Sequence, residues 1–170
     1  MGLTYVSDLM EFGQAPGYAT PANRVNGVVR LAVSTFDLSN AAYSTVNDVI
    51  LLAAVPSNAT ILTCFYGGAN QGASALIDIG FCDALGANVS PSGTDSRERL
   101  VNAFDASVGN TYQDRRFTTF TTATIAQPLW QLMGHSADPG RPWYMCVRIQ
   151  AVGAGPTGAG TQVGLQYISE

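Results

Sequence analysis

The chain has 170 residues, of which 46% are hydrophobic and only 12% are charged, with a formal net charge of −4 and a pI near 4.7. This length fits one domain with a sizeable core, and a mean hydropathy of +0.13 argues against intrinsic disorder. All eight basic residues are arginines, scattered without a basic stripe, so we expect no nucleic-acid partner. A surface so poor in charge favours a protein that packs against copies of itself or a partner.

No secretory signal and no membrane-spanning segment are expected. The N-terminus lacks a charged region followed by an apolar run, and no segment approaches the roughly 18 apolar residues that a bilayer requires. Cys64, Cys82 and Cys146 lie far apart, inside predicted strands. They are interpreted as buried thiols of a protein made in a reducing compartment.

The segment of residues 1–26 differs from the rest of the chain, because it contains Pro16 and Pro21 and has no sustained hydrophobic period. It is either a partly disordered terminus, as is common, or an arm that becomes ordered against another subunit. Its apolar side chains are too many for a solvated tail, which favours an arm that contacts another subunit. The residues expected to make this contact are Tyr5, Leu9, Met10, Phe12 and Tyr18. Residues 27–170 are assigned to a single β domain.

Alternating apolar residues predict strands directly after this arm. Residues 28–38 alternate so that Val29, Leu31 and Val33 form the more apolar of two faces. Three strand-length apolar segments follow, bounded by Pro, Gly, Asn or Ser, at residues 49–55, 61–66 and 75–81. We expect these three to form an antiparallel meander at the centre of an all-β domain. Asp78 in the third segment would point to solvent or to an arginine partner.

The second half of the chain adds one short helix and the remaining strands. Asp95 with Glu98 three residues later resembles a capping box, which predicts a short helix within residues 96–105. Further strands are predicted at residues 117–125, 128–133, 143–152 and 161–169. About eight strands at this spacing indicate a β-sandwich of two antiparallel sheets, with a jelly roll as the first choice.

No constellation of residues predicts catalysis or metal binding. The single histidine, His135, lies in a polar loop, where it is solvated or part of an interface, and no Cys or Asp lies at zinc-ligand spacing. The acidic residues are spread over caps and turns, and no Gly-x-Ser-x-Gly elbow is present. The glycine-rich residues 153–160 lack the Lys-Ser/Thr ending of a phosphate loop and precede a strand. We therefore expect no enzyme, no catalytic residue, no metal and no cofactor.

Aromatic residues leave one binding function open. A sugar-binding face on the sandwich could be formed by aromatic residues such as Trp130, Trp143, Tyr112 and Tyr144. Trp130 and Trp143 lie within apolar predicted strands, which favours packing in the core.

Several stretches carry a resemblance to a known family. An apolar run from Asp48 leads to Val55-Pro56, Gly72-Ala73-Ser74 leads into the third strand, and residues 128–134 and 158–167 complete the pattern. This pattern, over roughly residues 28–168, resembles the small jelly-roll proteins that decorate, or cement, the capsids of tailed bacteriophages. The arm is outside the resemblance.

The resemblance implies a structural protein of the virion, made in the host cytoplasm and bound to the outer capsid surface. Such a protein bridges capsomers, often as a trimer, so its partners would be the major capsid protein and copies of itself, with no nucleic acid and no membrane. Two other functions stay open. One is a carbohydrate-binding β-sandwich of a phage fibre or another appendage, and the other is a viral coat protein that forms closed shells by itself.

Overall fold

The computed structural model describes residues 28–36, 45–68, 70–91, 93–107, 113–114, 127–153 and 161–169. The five arm residues Tyr5, Leu9, Met10, Phe12 and Tyr18, the boundary between residues 26 and 27, and the strand predicted at residues 117–125 lie outside these ranges.

The described residues form eight strands in two four-stranded antiparallel sheets. The strands are β1 (Val28–Phe36), β2 (Val49–Val55), β3 (Thr60–Gly67), β4 (Leu76–Cys82), β5 (Val101–Asp105), β6 (Gln113–Asp114), β7 (Trp143–Ala151) and β8 (Thr161–Ser169). The first sheet has the order β1-β8-β3-β6, and the second has the order β2-β7-β4-β5.

The pairing of these strands is that of a jelly roll. The first strand pairs with the last, β2 with β7, β3 with β6 and β4 with β5, always antiparallel. A long hairpin rolled up on itself produces this nested pattern, and the contacts of β8 with β3 and of β7 with β4 then close the two sheets. The predictions of an all-β fold, of about eight strands and of the jelly roll are confirmed.

The predicted meander of β2, β3 and β4 is wrong. These consecutive strands alternate between the two sheets, so none of them pairs with the next. The turns at residues 56–59 and 68–75 carry the chain across the sandwich instead of back along a neighbouring strand. Either route leaves one face of each strand buried, so hydrophobic alternation cannot tell them apart.

The core lies between the sheets, and β7 shows how alternate residues of a strand build it. On β7, Trp143, Met145, Val147 and Ile149 are all buried, as the alternation predicts. The cysteines Cys64, Cys82 and Cys146 are buried, and none of them forms a disulfide. Interior packing of this kind removes apolar area from water and is the main stabilising contribution to the fold.

The short helix predicted within residues 96–105 is present only as a single turn. Asp95 does cap a helical turn, since its carboxylate accepts a hydrogen bond from the backbone N–H of Arg97, but the turn is a 3₁₀ helix of three residues, Ser96–Glu98. The strand β5 follows at once. Ala103 has a φ of 51°, which makes the strand irregular. As a result Val101 and Phe104, three positions apart, are both buried, and this spacing in the sequence is the same as that of a helix face.

The strand predicted at residues 128–133 is instead the short helix α1 (Leu129–Leu132). Pro128 stands at its N-cap, and Leu129, Leu132 and Met133 are buried. This burial at positions i, i+3 and i+4 is helical. Among the described residues, no helix is long and apolar enough to cross a membrane.

Candidate interaction surfaces

The described part of the chain offers no metal centre, because it contains no group of three or more His, Cys, Asp or Glu side chains that could hold an ion. His135 is half-buried and has contacts within the chain. Its Nε2 atom lies 2.7 Å from the carbonyl oxygen of Val89, and its ring centroid is 5.1 Å from that of Trp143. This histidine helps to hold its loop against the domain and is not the solvated residue that the sequence suggests as one alternative.

An open pocket of about 250 Å³ is lined by the two loops around Ser57 and Asp138. The Ser57 hydroxyl donates to the Asp138 carboxylate, which also accepts the backbone N–H of Gly140 at 2.9 Å. The hydrogen bond from Ser57 is the main reason that the pKa of Asp138 lies below its usual value, and the hydrogen bond from Gly140 lowers this pKa further. This pair fastens the two loops to one another.

The outer face of the second sheet is covered by the connection between β4 and β5. Gly80 permits this cover, because a Cβ atom there would lie 2.2 Å from the carbonyl oxygen of Ser96. The Ser96 hydroxyl donates to the carbonyl oxygen of Phe81 at 2.7 Å and accepts the N–H of Val89 at 3.0 Å. The connection is therefore fixed to the sheet by both close packing and buried hydrogen bonds.

An ion-pair network lies under the same connection. Arg148 of β7 contacts three carboxylates, with its Nη2 atom 2.6 Å from Asp78 Oδ2 and 2.9 Å from Glu98 Oε2, and its Nη1 atom 2.5 Å from Asp95 Oδ2. Of the two positions that the sequence allows for Asp78, solvent or an arginine, the arginine is confirmed. The side-chain hydrogen bond from Arg97 is the main reason that the pKa of Asp95 lies below its usual value. The network ties β4, β7 and the 3₁₀ helix together.

The outer face of the first sheet is different, because apolar side chains are exposed on it. Val29, Leu31 and Val33 of β1 are 60%, 59% and 44% exposed. Strand geometry puts these three on one face, opposite the buried Phe36, and we call them the β1 stripe. On β8 they lie beside Ile168, Gln166 and Gly164 in turn.

A phenylalanine extends this apolar face across the middle of the sheet. Phe65 of β3 is directly opposite Gly164 of β8, and a Cβ atom at Gly164 would lie 1.8 Å from Phe65 Cζ. The half-buried ring therefore lies over β8, where only glycine leaves room for it. The next exposed side chain on β3 is Leu62, with 39% exposure. The face offers aliphatic and aromatic surface.

The two tryptophans pack against the core to different extents. Trp143 is fully buried, and Trp130 is partly buried against the core. The large hydrophobic side chains that are exposed in the described ranges are all aliphatic. A sugar-binding face built on exposed aromatic rings is therefore not found in the described part of the chain.

The comparisons with known proteins show the fold. No protein-family profile matches the sequence, and no curated protein matches it. Among solved structures, the chain is similar to a chain of the cyanophage Pam1 capsid asymmetric unit, with 16% identity, a TM-score of 0.52, and coverage of 93% of this chain and 96% of that one. It is also similar to a chain of the capsid of Ralstonia phage GP4, with 14% identity, a TM-score of 0.54, and coverage of 85% and 84%.

Proposed function

We propose that this chain is a structural protein of a tailed-bacteriophage virion, which decorates the outer surface of the capsid and stabilises it by bridging capsomers as a trimer. The observation that carries the proposal is the fold match to a chain of the Pam1 capsid asymmetric unit, which covers 93% of this chain and 96% of that one. The second solved structure is also a phage capsid. The two matches agree with the resemblance that the strand and turn pattern of the sequence indicates.

The surface chemistry supports a binding protein over an enzyme. The β1 stripe and Leu62 expose aliphatic side chains on a regular sheet, and only 12% of the residues are charged. Such a surface is suited to burial against another protein. The proposed partners are the major capsid protein and further copies of this chain, with no catalysis, nucleic acid or membrane involved.

The proposed mechanism is mechanical and thermodynamic. A protein that binds two capsomers at once buries area on both, and the shell must give up that binding free energy before the capsomers separate. The second sheet, whose outer connection is fixed by the Arg148 network, supplies a rigid scaffold. In this proposal the arm residues Tyr5, Leu9, Met10, Phe12 and Tyr18 contact the capsid or a neighbouring subunit.

Capsids of the encoding phage, prepared from a mutant that lacks this gene, provide the test. The purified chain is added, the capsids are sedimented, and their disruption temperature is measured. We expect saturable co-sedimentation and a higher disruption temperature than for undecorated capsids. A chain that stays in the supernatant at all concentrations would overturn the proposal.

A variant lacking residues 1–24 tests the arm in the same assay. We expect it to bind the capsids more weakly than the full chain. Undiminished binding would show that the arm is not the capsid contact.

A further inference from the structure

The β1 stripe is a set of adjacent apolar side chains on an edge strand. In the described part of the chain, β1 is the last strand of its sheet and pairs with β8 alone. Its one charged residue, Arg30, points to the other face and donates from Nε to Ser169 Oγ at 2.8 Å. The stripe covers four residue steps, roughly 14 Å at 3.4 Å per residue. Exposed apolar edge strands of this kind are templates for association.

The symmetry of a trimer restricts what can cover the stripe. A patch that contacts the same patch on a second copy creates a two-fold axis and ends in a dimer. A three-fold ring needs two different surfaces on each copy, one that meets the copy before it and one that meets the copy after it. The stripe supplies one such surface, and the second must be apolar to match it.

The chain itself contains a second apolar surface of the right kind. The 27 residues before Val28 include Tyr5, Leu9, Met10 and Phe12, and they join the domain at the start of β1. Fully extended, 27 residues reach roughly 90 Å, which is enough to cross onto a neighbouring subunit. Among the described residues, the β1 stripe is the one place where three exposed aliphatic side chains lie on the same face of one strand. This strand also follows directly after the apolar residues 1–27 in the sequence.

We propose that the β1 stripe is the docking surface for residues 1–27 of a neighbouring copy, so that each arm covers the stripe of the next copy around the ring. This inference rests on the trimer of the proposed function and states how that trimer is held together. Burial of the stripe and of the arm against one another removes apolar area from water on both sides. Exchange of arms in this way closes the ring with one repeated, head-to-tail interface.

The first test compares variants of the full chain by sedimentation velocity over a range of concentrations, without capsids. Leu31→Gln and the deletion of residues 1–24 should each weaken the trimer by at least about tenfold per interface, the effect of removing one well-buried leucine. Since both changes remove the same contact, the combined variant should be no weaker than the weaker single variant. Leu85→Gln, at a position that is 92% exposed in a loop, is the matched control and should leave the trimer unchanged.

The second test asks whether the contact is made between chains. A Phe12→Cys chain is mixed with a Leu31→Cys chain under mild oxidation, with the wild-type chain and its three buried thiols as background. A disulfide that links the two different chains supports the inference. A link that forms only when both cysteines are in one chain would overturn it, since the arm would then cover its own strand.

The outcomes separate this inference from the proposed function. A wild-type trimer that tolerates both Leu31→Gln and the arm deletion would overturn the docking of the arm and leave the trimeric decoration protein in place. A wild-type chain that is monomeric at all concentrations would overturn the trimer itself.

Discussion

Arg148 is the residue whose replacement we expect to destabilise the fold most clearly. It lies directly opposite Asp78 in the register of β4 and β7, and the Asp78 side chain has no solvent exposure. Its Nε and Nη2 atoms donate to Asp78 Oδ2 at 2.9 and 2.6 Å. In Arg148→Met the carboxylate keeps the backbone N–H of Ala103, at 2.7 Å, as its partner and loses its counter-charge.

The expected cost follows from the burial of Asp78. Removing one partner of a buried ion pair leaves an uncompensated charge and costs about 3–5 kcal/mol of the free energy of unfolding. Methionine retains much of the volume of the arginine stem, so the loss comes mainly from charge and hydrogen bonding and not from a cavity. Asp95 keeps its ion pair with Arg97, at 2.7 Å, and should contribute little to the loss.

Urea denaturation followed by tryptophan fluorescence, at one fixed protein concentration, measures this free energy. Arg141→Met, which removes an exposed arginine, is the control and should change stability by less than about 0.5 kcal/mol. The double variant Asp78→Asn with Arg148→Met should lose less than the sum of the single losses, because the amide that replaces the Asp78 carboxylate carries no charge. A loss below about 1 kcal/mol for Arg148→Met, or strict additivity in the double variant, would refute the reasoning.

Three further predictions concern the same covered sheet. Gly80→Ala should lower the free energy of unfolding, measured in urea, by at least about 3 kcal/mol, because its Cβ atom would displace the backbone that covers it. Gly93→Ala is the control, in open space with a φ of +78°, and it should cost only about 1 kcal/mol. Equal losses for the two variants would contradict the close packing at Gly80. The pKa of Asp95 is lowered in the folded state, chiefly by its hydrogen bond with Arg97. The contribution of Asp95 to stability is therefore fully present above the pKa of an unfolded aspartate, 3.8. This contribution is lost as the pH falls through the folded-state pKa. Acid titration of stability should therefore be shallower below pH 3.8 in Asp95→Asn than in the wild type, and identical curves would contradict the assignment. Cys82 and Cys146 of this sheet are buried, and the pKa of the Cys146 thiol is raised by its hydrogen bond with Cys82 and by burial. A thiol reagent at pH 8 should label neither of these two in the folded protein and both in urea, and rapid labelling of either one in the folded chain would show that the cover opens.

The sequence predicts β1 to β4, β7 and β8, because hydrophobic alternation within a strand is a local property, but it misses β5 and β6. It predicts the pairing poorly because pairing depends on which way each turn leads the chain. The connection after Val55 could return along the same sheet or cross to the other one, and the buried faces are the same in both cases. Likewise, the irregularity at Ala103 gives Val101 and Phe104 a helical spacing inside a strand, and no sequence signal announces it.

The surfaces show the same division between local and long-range information. Alternation along the strand predicts that Asp78 faces either solvent or an arginine. The identity of that arginine, Arg148, which is 70 residues away, can be known only from the register of the sheet. On β1 the more apolar face, with Val29, Leu31 and Val33, points outward, and the less apolar face with Arg30 and Ala32 points toward the other sheet. The usual rule of apolar residues facing inward is reversed on this strand, which is typical of a surface that another protein covers.

Electron cryomicroscopy of the intact virion of the encoding phage would show directly whether this chain decorates the capsid. We expect jelly-roll density on the outside of the shell, in groups of three that span the junctions between capsomers. Jelly-roll density that itself forms the continuous shell, that lies on a fibre, or that is missing from the particle would contradict it.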